Sequence, residues 1–494
     1  MKYSITKILI VFLTIFMTSV SLHAEIVSKD EALTVARNWV TIIINKKGSW
    51  GGSKSAAVLG CQEFKRGDLF LGYFCPVSPI GYVVLSPLKE LIPIQAYSYE
   101  GNLDPNQDEG MTALFKDRMQ RILNSIDSLV GPYETVNTND LLSVMKKDYR
   151  QSWEKIRNGV DENYQEGDST MLTTRWEQDW PYNYFIEENS DCSWHEYHGH
   201  CAAGCTAVAG AQVMRYWCWP PYDGYGYTPP WTNMPNALDW DSPQDSINNV
   251  AGLIWNVGVA ITNYCSWYVF GCASWAEMSS SFRFSLEDEL QARFGYSESS
   301  DYRTRAENQD EWWGWIMLEL NQNRPLLYEI GSVLGGDAHI IVLDGWEYYG
   351  ANPQQQYVHV NYGWGDSNLT WFSLDHIPGS GYYLDEHMLV HVYPEPSFGS
   401  CPNGVYPCND TFPYRYFDQD ANSCEGAVTI GQGQKLQFLP KITVTGMAPI
   451  HIQGNGESPT LLFSRGDQTK GIRITGYPQS AEVRLMNGGA IKFP

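Results

Sequence analysis

Ala202-Ala203-Gly204-Cys205-Thr206-Ala207-Val208-Ala209 is a run of small residues opening an apolar stretch, with one cysteine where the run turns helical. Val208, Ala211 and Met214 then recur on one stripe, so a helix is predicted over Thr206 to Tyr216, with Pro220 beyond its end. Cys205 sits at the start of that helix, where unpaired N–H groups and the macrodipole favour negative charge. The chain has 11 cysteines. An exported protein normally pairs them, and setting Cys205 aside leaves an even number, which singles it out as a free thiol. The plainer alternative is a small buried cysteine beginning a core helix; the reactive one needs partner residues elsewhere in the chain.

A thiol attacks a carbonyl as thiolate, so an imidazole must take its proton. Of 10 histidines, His339 is the best placed. The glycine-rich segment 331–338 delivers it to the start of an apolar strand, Ile340-Ile341-Val342-Leu343, which Gly345 ends. It lies 134 residues after Cys205, inside the range of about 130–150 for a papain-type Cys–His pair. Tyr357-Val358-His359-Val360-Asn361-Tyr362-Gly363-Trp364-Gly365 reads as a strand ending in an aromatic and glycine turn. There Asn361 can hydrogen-bond His339 to fix its tautomer and tilt, with Trp364 shielding that bond from water. Acyl transfer also needs donors for the developing oxyanion: the backbone N–H of Cys205 is one, and the side-chain amide of Gln178 is the candidate for another.

These segments carry a resemblance. Leu172-Thr173-Thr174-Arg175-Trp176-Glu177-Gln178, Pro181-Tyr182-Asn183, Gly204-Cys205-Thr206-Ala207, Gln212-Val213-Met214-Arg215-Tyr216-Trp217, Ala338-His339-Ile340-Ile341-Val342-Leu343-Asp344-Gly345 and His359-Val360-Asn361-Tyr362-Gly363-Trp364-Gly365 occur in the order found in the streptopain family, secreted bacterial cysteine peptidases with a papain-like fold. Upstream, Lys29-Asp30-Glu31-Ala32 and Gly81-Tyr82-Val83-Val84-Leu85-Ser86 resemble the inhibitory prodomain of such zymogens. The resemblance implies Cys205 as nucleophile, His339 as general base, Gln178 as oxyanion-hole glutamine, and Asn361 and Trp364 as the support of the histidine. Two features depart from the family pattern: Tyr362 stands where tryptophan is frequent, and the central part holds Cys192, Cys201, Cys218, Cys265 and Cys272 besides Cys205. Cys201, four residues from the nucleophile, is expected to be paired already; Cys192 is its nearest partner in sequence.

The expected architecture is α+β: a papain-like two-lobed catalytic domain over 171–394, preceded by a small α+β prodomain with its linker over 25–170 and followed by an all-β module over 395–494. Residues 1–24 read as a signal peptide, Lys2 and Lys7 preceding the apolar run Ile8 to Met17 and Ala24 offering the cut. Within the prodomain, Ser28-Lys29-Asp30-Glu31 is a capping box, Cys61 and Cys75 are expected to bridge, and helices are predicted over Met111 to Val130 and Leu141 to Ile156. Residues 157–170 are polar and acidic, an exposed linker where a precursor would be cut. Alternating apolar positions in Ala427-Val428-Thr429-Ile430 and Ile472-Arg473-Ile474-Thr475 point to a C-terminal sandwich or solenoid.

The formal net charge of -23, from 33 basic and 56 acidic residues, argues against nucleic acid and anionic membranes as partners, because phosphate binding needs excess Lys and Arg. No stretch after the leader is long and apolar enough for a membrane span. The predicted activity is endopeptidase hydrolysis with no cofactor, on protein or peptide substrates, held off in the precursor by the chain's own prodomain, in a secreted protein that is extracellular or at the periplasm or cell surface of a bacterium. Two other classes compete. The run 192–201 holds three histidines and two cysteines, a composition suited to zinc. A non-catalytic adhesin with the papain-like part as scaffold is the other; it predicts an unreactive Cys205.

Overall fold

A computed structural model of the chain describes residues 23–394 except 146, 162, 168–169, 189–196, 218, 221–228, 230, 262–263, 266–273, 276–277, 279–284, 331–338, 366–368 and 375–385, and beyond 394 the backbone of the strands. The signal segment, the glycine-rich approach to His339 and Cys192 therefore lie outside the described residues. The chain divides into two compact units: one of residues 1–164 with 348–355 and 373–382, the other of the remainder.

The first unit opens with the helix Lys29–Lys47. Ser28 caps it, its Oγ accepting the Glu31 N–H, and Gly48 ends it in the left-handed region at φ 81°. Val35, Ala36, Trp39, Val40 and Ile43 face inward and are buried. They pack on an antiparallel sheet in which Leu69–Ser78 pairs with Ala57–Val58, Gln62–Arg66 and Tyr82–Leu85, and the last pairs in turn with Ile94–Ser98. Cys61 and Cys75 form a disulfide, as their spacing predicts. The helix Gly110–Val130 matches the sequence expectation. The next one does not hold as a single rod: it breaks into Thr138–Met145 and Arg150–Arg157. Asp148 explains the restart, because its carboxylate accepts the Arg150 N–H at 3.1 Å and a new first turn begins there.

The second unit is built around the helix Cys205–Trp217, buried along its whole length after Cys205. It packs against the helix Gln244–Ala260 and the strand Leu326–Ile330. An open sheet supplies the other layer, in the order Leu369–Ser373, Gln355–Asn361, His339–Tyr349, Leu326–Ile330, Glu386–Val390, Asp301–Thr304. The central strands are buried on both faces, and their Val, Ile and Leu content follows from that. The second half of the expected linker is no free loop here. Gln165–Glu166 adds a short strand to His339–Tyr349, Gly167 N–H donates to the Trp346 carbonyl at 2.9 Å and Met171 N–H to the Asp344 carbonyl at 3.1 Å.

Beyond residue 394, strands pair in parallel. Tyr414–Phe417, Lys435–Phe438, Thr460–Phe463 and Glu482–Leu485 stack in one series, and Ala427–Ile430, Ile450–Gly454 and Ile472–Gly476 in a second. Each series advances by a similar length of chain per layer.

Candidate active site

Cys205 is the first residue of its helix, and Gly204 before it holds φ at 89°, a left-handed turn in which a side chain would be strained. The turn brings the chain in along the segment of Gln178, whose carbonyl accepts the Ala203 N–H at 2.8 Å. Among the described residues Cys205 is the free cysteine, and Cys201 is disulfide-bonded. That second fact bears on zinc: a sulfur committed to a bridge supplies no thiolate ligand.

His339 is the first residue of its strand and is buried, 8% exposed. Its ring hydrogen-bonds the Cys205 thiol, and the next N–H in the strand, that of Ile340, points at the same sulfur at 3.5 Å. Burial alone would push the thiol up from its ordinary value. The charge of His339, the ring hydrogen bond and the donors Ile340 and Thr206 outweigh burial, and the thiol lies below the ordinary range.

The other ring nitrogen has a backbone partner: Nε2 lies 2.9 Å from the Tyr362 carbonyl oxygen. A carbonyl only accepts, so Nε2 carries the hydrogen and Nδ1 is the nitrogen left for sulfur. Trp364 lies over the ring, centroids 4.3 Å apart and planes at 26°, and Tyr362 stacks on Trp364 at 5.8 Å. This covers the imidazole from solvent on that face.

Asn361 does not reach the ring. Its Nδ2 donates to the Thr174 carbonyl at 2.8 Å and to Gln212 Oε1 at 3.0 Å, while its Oδ1 accepts the Gly363 N–H at 3.0 Å. Thr174 Oγ1 also donates to Gln212 Oε1, at 2.9 Å. Three segments thus meet at one buried amide pair: the helix of Cys205, the approach to Gln178, and the turn that presents the Tyr362 carbonyl. Sequence reasoning missed both Gln212 and that carbonyl. Gln212 had a signal, being a polar residue inside an otherwise apolar helical stripe; a backbone carbonyl has none.

The side chain of Gln178 is half-buried and has no hydrogen-bond partner among the described residues. Its neighbour Glu177 packs into the aromatic turn, where a Cβ on Gly365 would fall 1.9 Å from Glu177 Oε1. Only glycine fits there, which ties the Gln178 segment to the Trp364 turn. The structure therefore gathers Cys205, His339 and Trp364 by direct contact, brings Gln178 in through its backbone, and connects Asn361 one step removed.

The sequence profile described as the Peptidase C10 family matches residues 176–372, a span that holds all of these residues. Over those residues the chain is similar to this family. A second profile, the Spi protease inhibitor, matches residues 24–122. Streptopain of Streptococcus pyogenes is 25% identical over 376 residues, covering 70% of this chain and 84% of that protein. The thiol protease/hemagglutinin PrtT of Porphyromonas gingivalis is 27% identical over 233 residues, 41% of this chain and 24% of that one. Among solved structures, a fragment of Prevotella intermedia prointerpain A aligns over 68% of this chain and 99% of its own at 21% identity with a TM-score of 0.48. Active interpain A from the same organism aligns over 46% and 95% at 26% identity with a TM-score of 0.37. The chain is thus a cysteine-type hydrolase with an α+β catalytic part, an open sheet and an inhibitor-like N-terminal segment.

Proposed function

We propose that the chain is a secreted cysteine endopeptidase made as an inactive precursor, with Cys205 as nucleophile and His339 as general acid and base. The observation that carries this assignment is the helix-start thiol hydrogen-bonded to an imidazole whose far nitrogen is already committed to a carbonyl. In that arrangement the Cys205 thiolate attacks the substrate carbonyl carbon. His339, protonated at Nδ1 by the thiol's hydrogen, gives that proton to the leaving amine. Water then loses a proton to the same nitrogen, attacks the thioester and releases the acid and the free sulfur. The oxyanion of both tetrahedral steps is held by the Cys205 N–H and the Gln178 side-chain amide, with Trp364 keeping water off the ring.

The inhibitor-like segment supports a role for residues 25–170 as the chain's own inhibitor, and the exposed residues 157–161 support cleavage there. The parallel strands after residue 394 support a β-solenoid as the C-terminal module. The test is turnover of a protein substrate by the wild type and by Cys205→Ala, each with and without an epoxysuccinyl peptide. Activity confined to the untreated wild type is expected; activity that survives in Cys205→Ala defeats the assignment. A Cys205→Ala precursor that still matures alone at the normal rate defeats self-processing.

A further inference from the structure

Glu90 is an acid in the interior of the first unit, 0% exposed, and Thr138 beside it is 1% exposed. Both carboxylate oxygens face a single nitrogen: the Glu25 N–H lies 3.3 Å from Oε1 and 3.2 Å from Oε2, while Thr138 Oγ1 donates to Oε1 at 3.4 Å. A buried carboxylate ordinarily has a cation bonded to it. Among the described residues none of the bonds to this one comes from a cation. Arg150, whose charge reaches Glu90, gives its side-chain hydrogen bonds to Asp148, at 2.7 to 3.2 Å. Lys89 Nζ is 3.0 Å from Glu25 Oε2 and 3.0 Å from Glu31 Oε1. Burial accordingly pushes the Glu90 carboxyl up from its ordinary value.

The nitrogen that faces this carboxylate follows Ala24, where the sequence offers the leader cut. Hydrolysis of the Ala24–Glu25 amide by a leader peptidase puts the water oxygen on the Ala24 carbonyl carbon, which departs as a carboxylate, and both water hydrogens on the Glu25 nitrogen, which becomes an α-ammonium. Glu25 is held in place by bonds that the cut does not touch. Lys89 N–H donates to the Glu25 carbonyl at 2.9 Å, Val27 N–H to the Pro87 carbonyl at 2.9 Å, and the Tyr73 hydroxyl to the Val27 carbonyl at 3.0 Å. The bonds from Ala24 N–H to the Val136 carbonyl at 2.9 Å and from His23 Nδ1 to the Thr135 carbonyl at 2.8 Å leave with the leader.

Resting on the secreted-precursor reading above, we propose that the leader is cut between Ala24 and Glu25 and that Glu90 binds the new α-ammonium of Glu25, a buried ion pair that the uncut chain lacks. The cut replaces a neutral donor by a charged one at the same place, and hydrogen bonds between charged groups are the stronger ones. It also supplies the Glu90 carboxylate with the cation that its burial calls for. The inhibitor-like segment therefore reaches its full stability once the leader is gone, and the Glu90 site takes a free α-amine in preference to an amide.

The test uses the full chain with Cys205→Ala, so that self-cleavage does not intervene, exported by a bacterial host. Mass spectrometry is expected to find Glu25 as its first residue. Trace labelling of that α-amine with acetic anhydride at neutral pH is expected to run about tenfold or more slower in the folded protein than in the same protein unfolded in urea, each unit by which an amine's pKa is raised being a factor of ten. Glu90→Gln is expected to bring the folded rate to within about twofold of the unfolded one. A second chain, exported in the same way with one asparagine inserted between Ala24 and Glu25, keeps an amide at the Glu25 nitrogen; there Glu90→Gln is expected to lower the urea midpoint less than in the chain that begins at Glu25. A first residue other than Glu25 overturns the proposal, as does an α-amine that labels equally fast folded and unfolded. Slow labelling that persists in Glu90→Gln overturns it too, and so does an equal loss of urea midpoint in the two chains. A leader left uncut speaks against the secreted-precursor reading as well, so the two failures are distinguishable.

Discussion

His339 Nε2 is bonded to the main-chain carbonyl of Tyr362, while the side chain of the adjacent Asn361 turns away into a buried amide pair with Gln212. The imidazole is thus oriented by backbone, and the side chains act by holding the backbone. Such a device keeps a neutral acceptor beside the ring: the carbonyl fixes the tautomer without adding a charge to stabilise imidazolium.

Asn361→Ala is therefore expected to misplace the Tyr362 carbonyl, not to change the ring's charge environment. Displacement on the order of 1 Å costs about 10²-fold in kcat, with KM little altered and the acid limb of the pH profile unmoved. It also strands the Gly363 N–H and the Thr174 carbonyl, costing about 1–3 kcal/mol of stability. Gln212→Met is expected to reproduce the effect in weaker form, and the double variant to lose less than the two singles together, since both break one pair. A shifted acid limb in Asn361→Ala would show that this side chain bears on the ring directly.

The Cys205 thiol is held below its ordinary value of 9.0 by His339 against the upward push of burial. Alkylation by iodoacetamide is expected to stay fast well below the pH at which an ordinary thiol loses reactivity. In His339→Ala the push of burial remains and its largest opponent is gone, so the rate profile is expected to move to the alkaline side. The sign for stability follows: with the folded value depressed, the thiolate's contribution is complete above the unfolded thiol's value and is lost as pH falls through the folded one. Comparison of wild type with Cys205→Ala in denaturant series at several pH values measures that loss.

How far this site could be read without coordinates depended on what kind of group did the work. Cys205, His339 and Trp364 announce themselves because their side chains are the active parts and their flanks are unusual: small residues, an apolar strand, a glycine-aromatic turn. The helix Lys29–Lys47 was equally legible from its cap and its stripe. Asn361 was found with the wrong contact, because an amide near a histidine in sequence does not say which of its neighbours it faces. The break at Asp148 and the strand Gln165–Glu166 were hidden for opposite reasons. The first is a side chain outcompeting a good helical pattern; the second is polar chain ordered only by an edge it happens to meet.

Gln178 offers a clean separation of chemistry from folding. Its tether to Ala203 runs through the backbone and survives substitution, and its side chain holds nothing else among the described residues. Gln178→Ala is expected to lower kcat by about 10²–10³-fold, the effect of losing one oxyanion donor, with the unfolding midpoint nearly unchanged. A large drop in stability would mean that the amide is structural.

Asp344 and His359 make the converse case. The Asp344 carboxylate takes a hydrogen bond from His359 Nδ1 at 2.6 Å and from the Leu172 N–H at 2.8 Å, and both side chains are almost wholly buried, 1% and 3% exposed. None of these bonds goes to Cys205 or His339; they fasten the start of the catalytic part to the central strand. Asp344→Ala leaves a buried imidazole and a buried N–H without their acceptor. A loss of about 3–5 kcal/mol is expected, measured by urea unfolding of proteins that also carry Cys205→Ala so that self-cleavage does not intervene. In the active background, whatever fraction remains folded is expected to label at Cys205 at the wild-type rate. Slow labelling of that folded fraction would place the pair within the catalytic machinery.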